Sequence, residues 1–327
     1  MPHNSLNANL PTAYPLKNPQ PVDFIPSSPS GGFVEVEAFA KINLFLVVTG
    51  RRDDGYHDII SVMQGVGIHD TLQISKAESS TMPLVTLDTN VKDLPTGDAN
   101  IVVKAAKKIL SKFQIPTPVY IKLNKRIPMG AGLGGGSSNA AATLLGLNQL
   151  FKLNIPSQQL FDIGKEIGAD VPFCLMQNDA VGLEGKLNPI TALATGIGEV
   201  LSPLPPHPSC YIALAYPNTN ISTAKIFAKL TKFNYPAIDN FLTIYKTADI
   251  TQISQALFNS FIPVTAEYCP TIPLLIDGFK KNGALGASMT GTGSTVFAYF
   301  NCKSTAQKAC NVLTESHHHT MFLVTQV

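Results

Sequence analysis

Pro128-Met129-Gly130-Ala131-Gly132-Leu133-Gly134-Gly135-Gly136-Ser137-Ser138 is the stretch that decides how the rest of this chain is read. Its five glycines let the backbone turn its N–H groups toward one point at little steric cost. Upstream, Val119-Tyr120-Ile121-Lys122-Leu123 reads as a strand that runs straight into the loop. Downstream, Asn139 to Leu153 is rich in Ala and Leu and reads as a helix, capped by Ser137 or Ser138 and stopped before Pro156. A helix starting there adds its own unpaired N–H groups and the positive end of its dipole. Together these features form an anion cradle suited to phosphate. A turn needed only for packing would use fewer glycines.

Two common phosphate loops fit poorly. Gly130-x-Gly132-x-x-Gly135 matches the dinucleotide fingerprint formally, but that motif wants an acid about 20 residues on. Here the first acid after the loop is Asp162, and the loop follows several earlier elements instead of opening the fold. The Walker pattern fails because no lysine precedes Ser137. A nucleotide loop of a third type remains.

Working outward, Phe33 to Ala38 alternates as a half-buried strand does, and Ile42 to Val48 reads as a more buried one. Arg51 to Gly55 is a charged turn, and Thr71 to Ser75 and Leu84 to Asp88 read as further strands. Asn100 to Phe113 has apolar residues at helical spacing with lysines opposite. Ser157 to Ile167 reads as a helix with Gly168 as its C-terminal stop. Beyond the Pro-rich stretch from Pro203 to Pro208, strands (Cys210 to Ala215, Thr295 to Phe300) alternate with helices (Thr223 to Leu230, Lys303 to Leu313), as in an α+β domain. The expected division is an extension over 1–32, a nucleotide-binding domain over 33–200 and a second domain over 201–327. The length of 327 residues agrees with about two domains at ~150 residues each.

Composition narrows the function class. A net charge of +2 argues against a general nucleic-acid binder, and no apolar run approaches the roughly 20 residues of a membrane span. Between Asp98 and Asp162 lie eight lysines and arginines and no carboxylate. That stretch is either a solvated basic face or a positive field for an anionic ligand. The five cysteines are scattered without CxxC pairing and read as reduced, buried thiols. The run His317-His318-His319 reads as a solvated turn in preference to a metal site. Residues 1–32 hold seven prolines, one acid and no arginine, which reads as a disordered extension, with an organelle transit peptide as the alternative. A bacterial cytoplasm and a plastid-type organelle both stay open.

The glycine loop resembles the signature of the GHMP kinase superfamily. Ala40-Lys41-Ile42-Asn43-Leu44-Phe45-Leu46, followed by Asp54-Gly55-Tyr56-His57, is similar to the opening of its branch that acts on a cytidyl-diphospho-methylerythritol alcohol. Gly168-Ala169-Asp170-Val171-Pro172-Phe173 resembles the catalytic segment, and Thr290-Gly291-Thr292-Gly293-Ser294 the third superfamily motif. The resemblance runs from about Phe33 to the C-terminus. The chain departs from it between Met176 and Ile190, where about a dozen residues are inserted.

The resemblance implies a two-domain α/β fold, with an N-terminal ribosomal-protein-S5-like domain, a C-terminal ferredoxin-like domain and the active site in the cleft between them. It implies an ATP-dependent kinase for the 2-hydroxyl of 4-(cytidine 5'-diphospho)-2-C-methyl-D-erythritol, in non-mevalonate isoprenoid synthesis. Asp170 is then the base and Lys41 its positioning partner. ATP lies on Pro128 to Ser138, namely Pro128, Met129, Gly130, Ala131, Gly132, Leu133, Gly134, Gly135, Gly136, Ser137 and Ser138, with Asn100 on the adenine side. Tyr56 and Phe227 stack on the cytosine, with Asn43, His57 and Thr223 as further substrate contacts. Mg²⁺ is carried mainly by the nucleotide phosphates, near the Ser138 hydroxyl, without a dedicated protein metal site. The expected partner is a small-molecule substrate, and the expected assembly is a monomer or homodimer. Two alternatives are another GHMP kinase, for homoserine, mevalonate or a sugar, and a catalytically silent nucleotide-binding member.

Overall fold

The computed structural model describes residues 32–77, 82–179, 189–230 and 235–327; residues 1–31 of the expected extension and the middle of the Met176–Ile190 insertion lie outside them. In chain order the first half runs β1 (Val34–Arg51), β2 (His57–Lys76), β3 (Val85–Thr89), α1 (Ile101–Lys112), β4 (Val119–Asn124), α2 (Gly135–Leu150), α3 (Ser157–Lys165), α4 (Val171–Asp179), β5 (Thr191–Thr195) and β6 (Val200–Pro203). The second half runs β7 (Tyr211–Tyr216), α5 (Thr223–Lys229), α6 (Ile238–Tyr245), α7 (Ile250–Gln255), β8 (Phe258–Asn259), α8 (Ile262–Tyr268), α9 (Thr271–Lys281), β9 (Gly286–Met289), β10 (Val296–Phe300), α10 (Lys303–Ser316) and β11 (Met321–Gln326).

The two strands expected over 33–48 are one strand of 18 residues, and Thr71 to Ser75 is the end of a strand of 20. β1 and β2 form a long antiparallel ribbon with register shifts at Phe39/Lys41, Asn43/Phe45 and Val48/Gly50. Each shift adds twist and bends the strand. Two of them bracket Lys41 to Asn43, whose side chains share one face by the two-residue period. The larger sheet has the order β3-β4-β2-β1-β8, with β5 on β2 and β6 on β5. The smaller sheet has the order β11-β7-β10-β9.

Three cores hold these layers. One lies under α1 and α2, with Ile74, Ile109, Ile121 and Leu144 fully buried. A second packs α9 and α10 on the smaller sheet through Leu275, Phe279, Phe300 and Leu313. The third joins the two sheets, setting Ile42, Leu44 and Phe45 of β1 with Ile212, Phe297 and Tyr299 of β7 and β10. At about 25 cal/mol per Å² of apolar surface, such shared burial ties the halves into one body. No helix among the described residues is long and apolar enough to cross a membrane.

Some expected details differ. α3 ends at Lys165 with Glu166 as a right-handed cap, so Gly168 supplies no left-handed stop. Four cysteines are buried, but Cys302 is exposed. His318 and His319 lie in a turn, as read from sequence.

Candidate active site

A cavity of about 940 Å³ opens between the two sheets, and the glycine loop forms its floor. Gly130, Gly132 and Gly134 adopt positive φ of 64°, 78° and 70°, which side chains rarely tolerate. The loop is fixed from two sides. The Lys41 N–H donates to the Leu133 carbonyl at 3.0 Å, and the Thr295 N–H to the Ala131 carbonyl at 3.3 Å. α2 starts at Gly135 after a left-handed Gly134, four residues before the expected Asn139, and no side chain caps it. Among the described residues, the backbone N–H groups from Gly132 to Ser137 donate to no protein acceptor. They form an open donor array at the positive end of a 16-residue helix.

That earlier start turns the two serines apart. Ser137 lines the cavity, whereas Ser138 is fully buried and its hydroxyl points toward Cys174. Ser138, its hydroxyl expected near Mg²⁺, is thus not among the residues that line the cavity, whereas Ser137 is.

Lys41 lies against the loop, since a Cβ on Gly134 would stand 2.9 Å from its Cγ. Its Nζ is 3.1 Å from Asp170 Oδ2 and donates to Asn43 Oδ1 at 3.0 Å. The lysine is 6% exposed and the aspartate 30%, so the carboxylate keeps an edge on the cavity. Asp170 immediately precedes α4, and its carbonyl accepts from the Cys174 N–H at 3.1 Å. The carboxylate therefore sits where the helix dipole favours negative charge.

Asn43 is a brace before it is a contact. Its Oδ1 also accepts from Gly291 N–H at 3.0 Å and from Thr290 Oγ1 at 3.2 Å, while its Nδ2 donates to Ser61 Oγ at 2.8 Å. The expected substrate contact from this side chain is largely taken up within the protein. Asn100, expected on the adenine side, caps α1 through Val102 N–H at 2.8 Å and donates to the Pro95 carbonyl at 2.6 Å. Both residues still line the cavity.

At the opposite end, Tyr56, His57, Thr223 and Phe227 line the same cavity. Tyr56 is 60% exposed. The ring against Phe227 is that of His57, with centroids 5.1 Å apart, and Phe261 backs Phe227 edge-on at 4.7 Å. Burial, and then the Arg51 charge, push the His57 imidazole below its usual range. The Thr223 and Thr292 hydroxyls meet at 3.1 Å, linking α5 to the third motif.

The basic stretch resolves mainly as a solvated face. Lys104, Lys107, Lys108 and Lys112 border a shallow outer groove on α1, two of them paired with Asp98 and Glu166. Lys125 alone of that stretch lines the cavity, and it pairs with the fully buried Asp70. Asp70 also accepts from the Arg126 and Ile127 N–H groups at 2.6 and 2.8 Å and from Asn139 Nδ2 at 2.8 Å. This clasp pins the strand-to-loop corner to α2. The sequence reading missed it, because Asp70 and Lys125 stand 55 residues apart and only the fold joins them.

This layout matches known proteins. The GHMP kinases N terminal domain matches residues 100–178, and the GHMP kinases C terminal domain residues 237–319. The chain belongs to the GHMP kinases. A relative from Lachnoclostridium phytofermentans, named 4-diphosphocytidyl-2-C-methyl-D-erythritol kinase, is 40% identical over 279 residues, covering 84% of this chain and 91% of its own. One of the same name from Lachnospira eligens is 38% identical over 270 residues, covering 82% and 88%. Within the GHMP kinases, then, the chain is a member of the 4-diphosphocytidyl-2-C-methyl-D-erythritol kinase family. A solved 4-(cytidine 5'-diphospho)-2C-methyl-D-erythritol kinase superposes with a TM-score of 0.72 at 27% identity, covering 90% of this chain and 98% of that one. A homoserine kinase from Cytophaga hutchinsonii shares the fold at a TM-score of 0.67 and 16% identity, covering 92% and 96%. The two-domain GHMP kinase fold expected from the sequence is the fold observed.

Proposed function

We propose that this kinase transfers the γ-phosphoryl group of ATP to the 2-hydroxyl of 4-(cytidine 5'-diphospho)-2-C-methyl-D-erythritol. The observation that carries the reading is the Lys41–Asp170 pair at 3.1 Å, on the wall of the cavity floored by the open N–H array of the glycine loop. Phosphoryl transfer asks mainly for in-line placement and charge stabilisation, and this arrangement supplies both. The N–H array from Gly132 to Ser137 holds phosphate oxygens and keeps the γ-phosphoryl group facing the pair. Asp170 accepts the proton of the acceptor hydroxyl as its oxygen bonds to the γ-phosphorus and the bond from that phosphorus to ADP breaks. Lys41 orients that carboxylate and offsets charge on the transferred group.

The oxygen donors here fit Mg²⁺ carried by the nucleotide. Among the described residues no three His, Cys, Asp or Glu side chains cluster as a metal cage, while the Ser137 hydroxyl and the Asp170 carboxylate border the cavity. Bound there, Mg²⁺ would neutralise phosphate charge. At the far end, the aromatic surface of Tyr56, His57 and Phe227 suits a flat base.

The test is ADP release by the purified protein with ATP and Mg²⁺, with and without the cytidyl-diphospho alcohol. Turnover that depends on that alcohol and disappears in Asp170→Asn is the expected result. Turnover with homoserine or mevalonate in its place would overturn the substrate assignment and leave the kinase assignment standing.

A further inference from the structure

We infer that Arg51 is a specificity-determining residue that recognises the diphosphate of the substrate, on the substrate side of the cavity. The inference rests on the proposed substrate and adds a residue that none of the sequence motifs singles out.

The argument is one of charge matching. Among the described residues, three positively charged side chains line the cavity: Lys41, Arg51 and Lys125. Lys41 is matched by Asp170 and Lys125 by buried Asp70. The neighbouring Arg52 points elsewhere, paired with Asp58 at 2.7 Å. Among the described residues, Arg51 has no carboxylate within ion-pair distance, and it is exposed at the end of β1. Among the described residues Asp170 is the one carboxylate lining the cavity, and it is already matched.

Register fixes where this charge sits. Arg51 stands directly opposite His57 across the β1–β2 ribbon, and directly opposite residues project to the same face. Its charge is felt at the His57 imidazole, which it pushes toward the neutral form. The guanidinium thus borders the aromatic end of the cavity, beside the ring of Phe227 that His57 touches. A substrate whose base rests there and whose alcohol reaches Asp170 must carry its diphosphate between the two. Two phosphate charges then enter a wall whose unmatched fixed charge is a planar guanidinium, a group suited to bidentate phosphate binding.

The experiment compares the affinities of CDP and cytidine by calorimetry for the wild-type protein, Arg51→Gln and Arg51→Lys. The expected result is that wild type prefers CDP to cytidine, that Arg51→Gln loses roughly tenfold in CDP affinity with cytidine unchanged, and that added salt erodes the preference. Arg51→Lys should recover part of it. Equal losses for CDP and cytidine would overturn the inference, because Arg51 would then serve the base or the fold. Unchanged CDP affinity in Arg51→Gln would overturn it as well. Failure of wild type to bind either ligand would overturn the proposed substrate, and this inference with it.

Discussion

The carbonyl oxygen of Thr290 stands 2.5 Å from where a Cβ on Gly132 would lie, so the glycine loop meets the C-terminal half backbone against backbone. Gly132 also holds φ of 78°. Gly132→Ala therefore meets both a clash and a strained conformation, worth about 1–3 kcal/mol of stability. Thermal unfolding should show that loss, and a nucleotide titration a weaker affinity for ATP. A variant matching wild type in both would mean that the contact is not maintained in solution.

Asp170→Asn keeps the shape of the side chain and removes its basicity. It should lower kcat by about 10²–10⁴-fold, with the affinity for ATP nearly unchanged. Steady-state kinetics beside a direct nucleotide titration separates the two quantities. Equal loss in both would assign Asp170 to binding.

The Asp70–Lys125 pair is nearly sealed from solvent, with side chains 0% and 7% exposed. Asp70→Ala leaves the Lys125 ammonium buried without its carboxylate, which costs about 3–5 kcal/mol. Urea unfolding should reveal a loss of that size. Asp70→Leu combined with Lys125→Met should recover much of it, since an apolar pair leaves no buried charge.

His207 links Tyr299 to the chain after β6. Its Nδ1 lies 2.7 Å from the Pro208 carbonyl, so this nitrogen carries the proton and Nε2 accepts from the Tyr299 hydroxyl at 3.0 Å. Burial pushes the imidazole down to about 4, against about 6.5 in the unfolded chain. Between those values the unfolded state binds a proton that the folded state does not. The contribution of His207 is therefore complete above pH about 6.5 and falls, by roughly 3 kcal/mol, as pH drops to about 4. His207→Gln should flatten the stability curve in that window, as measured by denaturant unfolding at several pH values. An unchanged slope would place the proton elsewhere.

Cys302 is the exposed cysteine, and hydrogen bonds from Ser304 and Thr305 lower its thiol to about 7. Native protein should take up one equivalent of iodoacetamide, with the rate rising through pH 7. Cys302→Ser should abolish the uptake, because the other four thiols are buried. Alkylation of a second cysteine at the same rate would contradict this packing.

Much of the candidate site was legible because its signals are local. Glycines at Gly130, Gly132 and Gly134 declare a backbone that must adopt positive φ, and these positions do. Lys41 and Asp170 sit in short distinctive segments, and the fold brings them to 3.1 Å. What stayed hidden depends on three-dimensional pairing or on small shifts of phase. A helix start four residues early turns Ser138 inward, and the ring contact between His57 and Phe227 joins residues far apart in the chain. The Asp70 clasp had no local signal, since an aspartate after an apolar run looks like any strand end.

The two-residue strand β8 lies parallel to β1, aligning Phe258 with Phe45 and Asn259 with Leu46. Asn259 also donates to the Met289 and Gly291 carbonyls at 2.7 and 2.9 Å. The chain is thus interlaced: a segment of the C-terminal half closes the edge of the strand that carries Lys41. A chain cut at residue 200 would carry the Lys41 strand with that edge bare, so the two halves cannot be separated without opening the sheet beside Lys41. Recombination that exchanged halves between relatives would have to preserve this splice as well as the site.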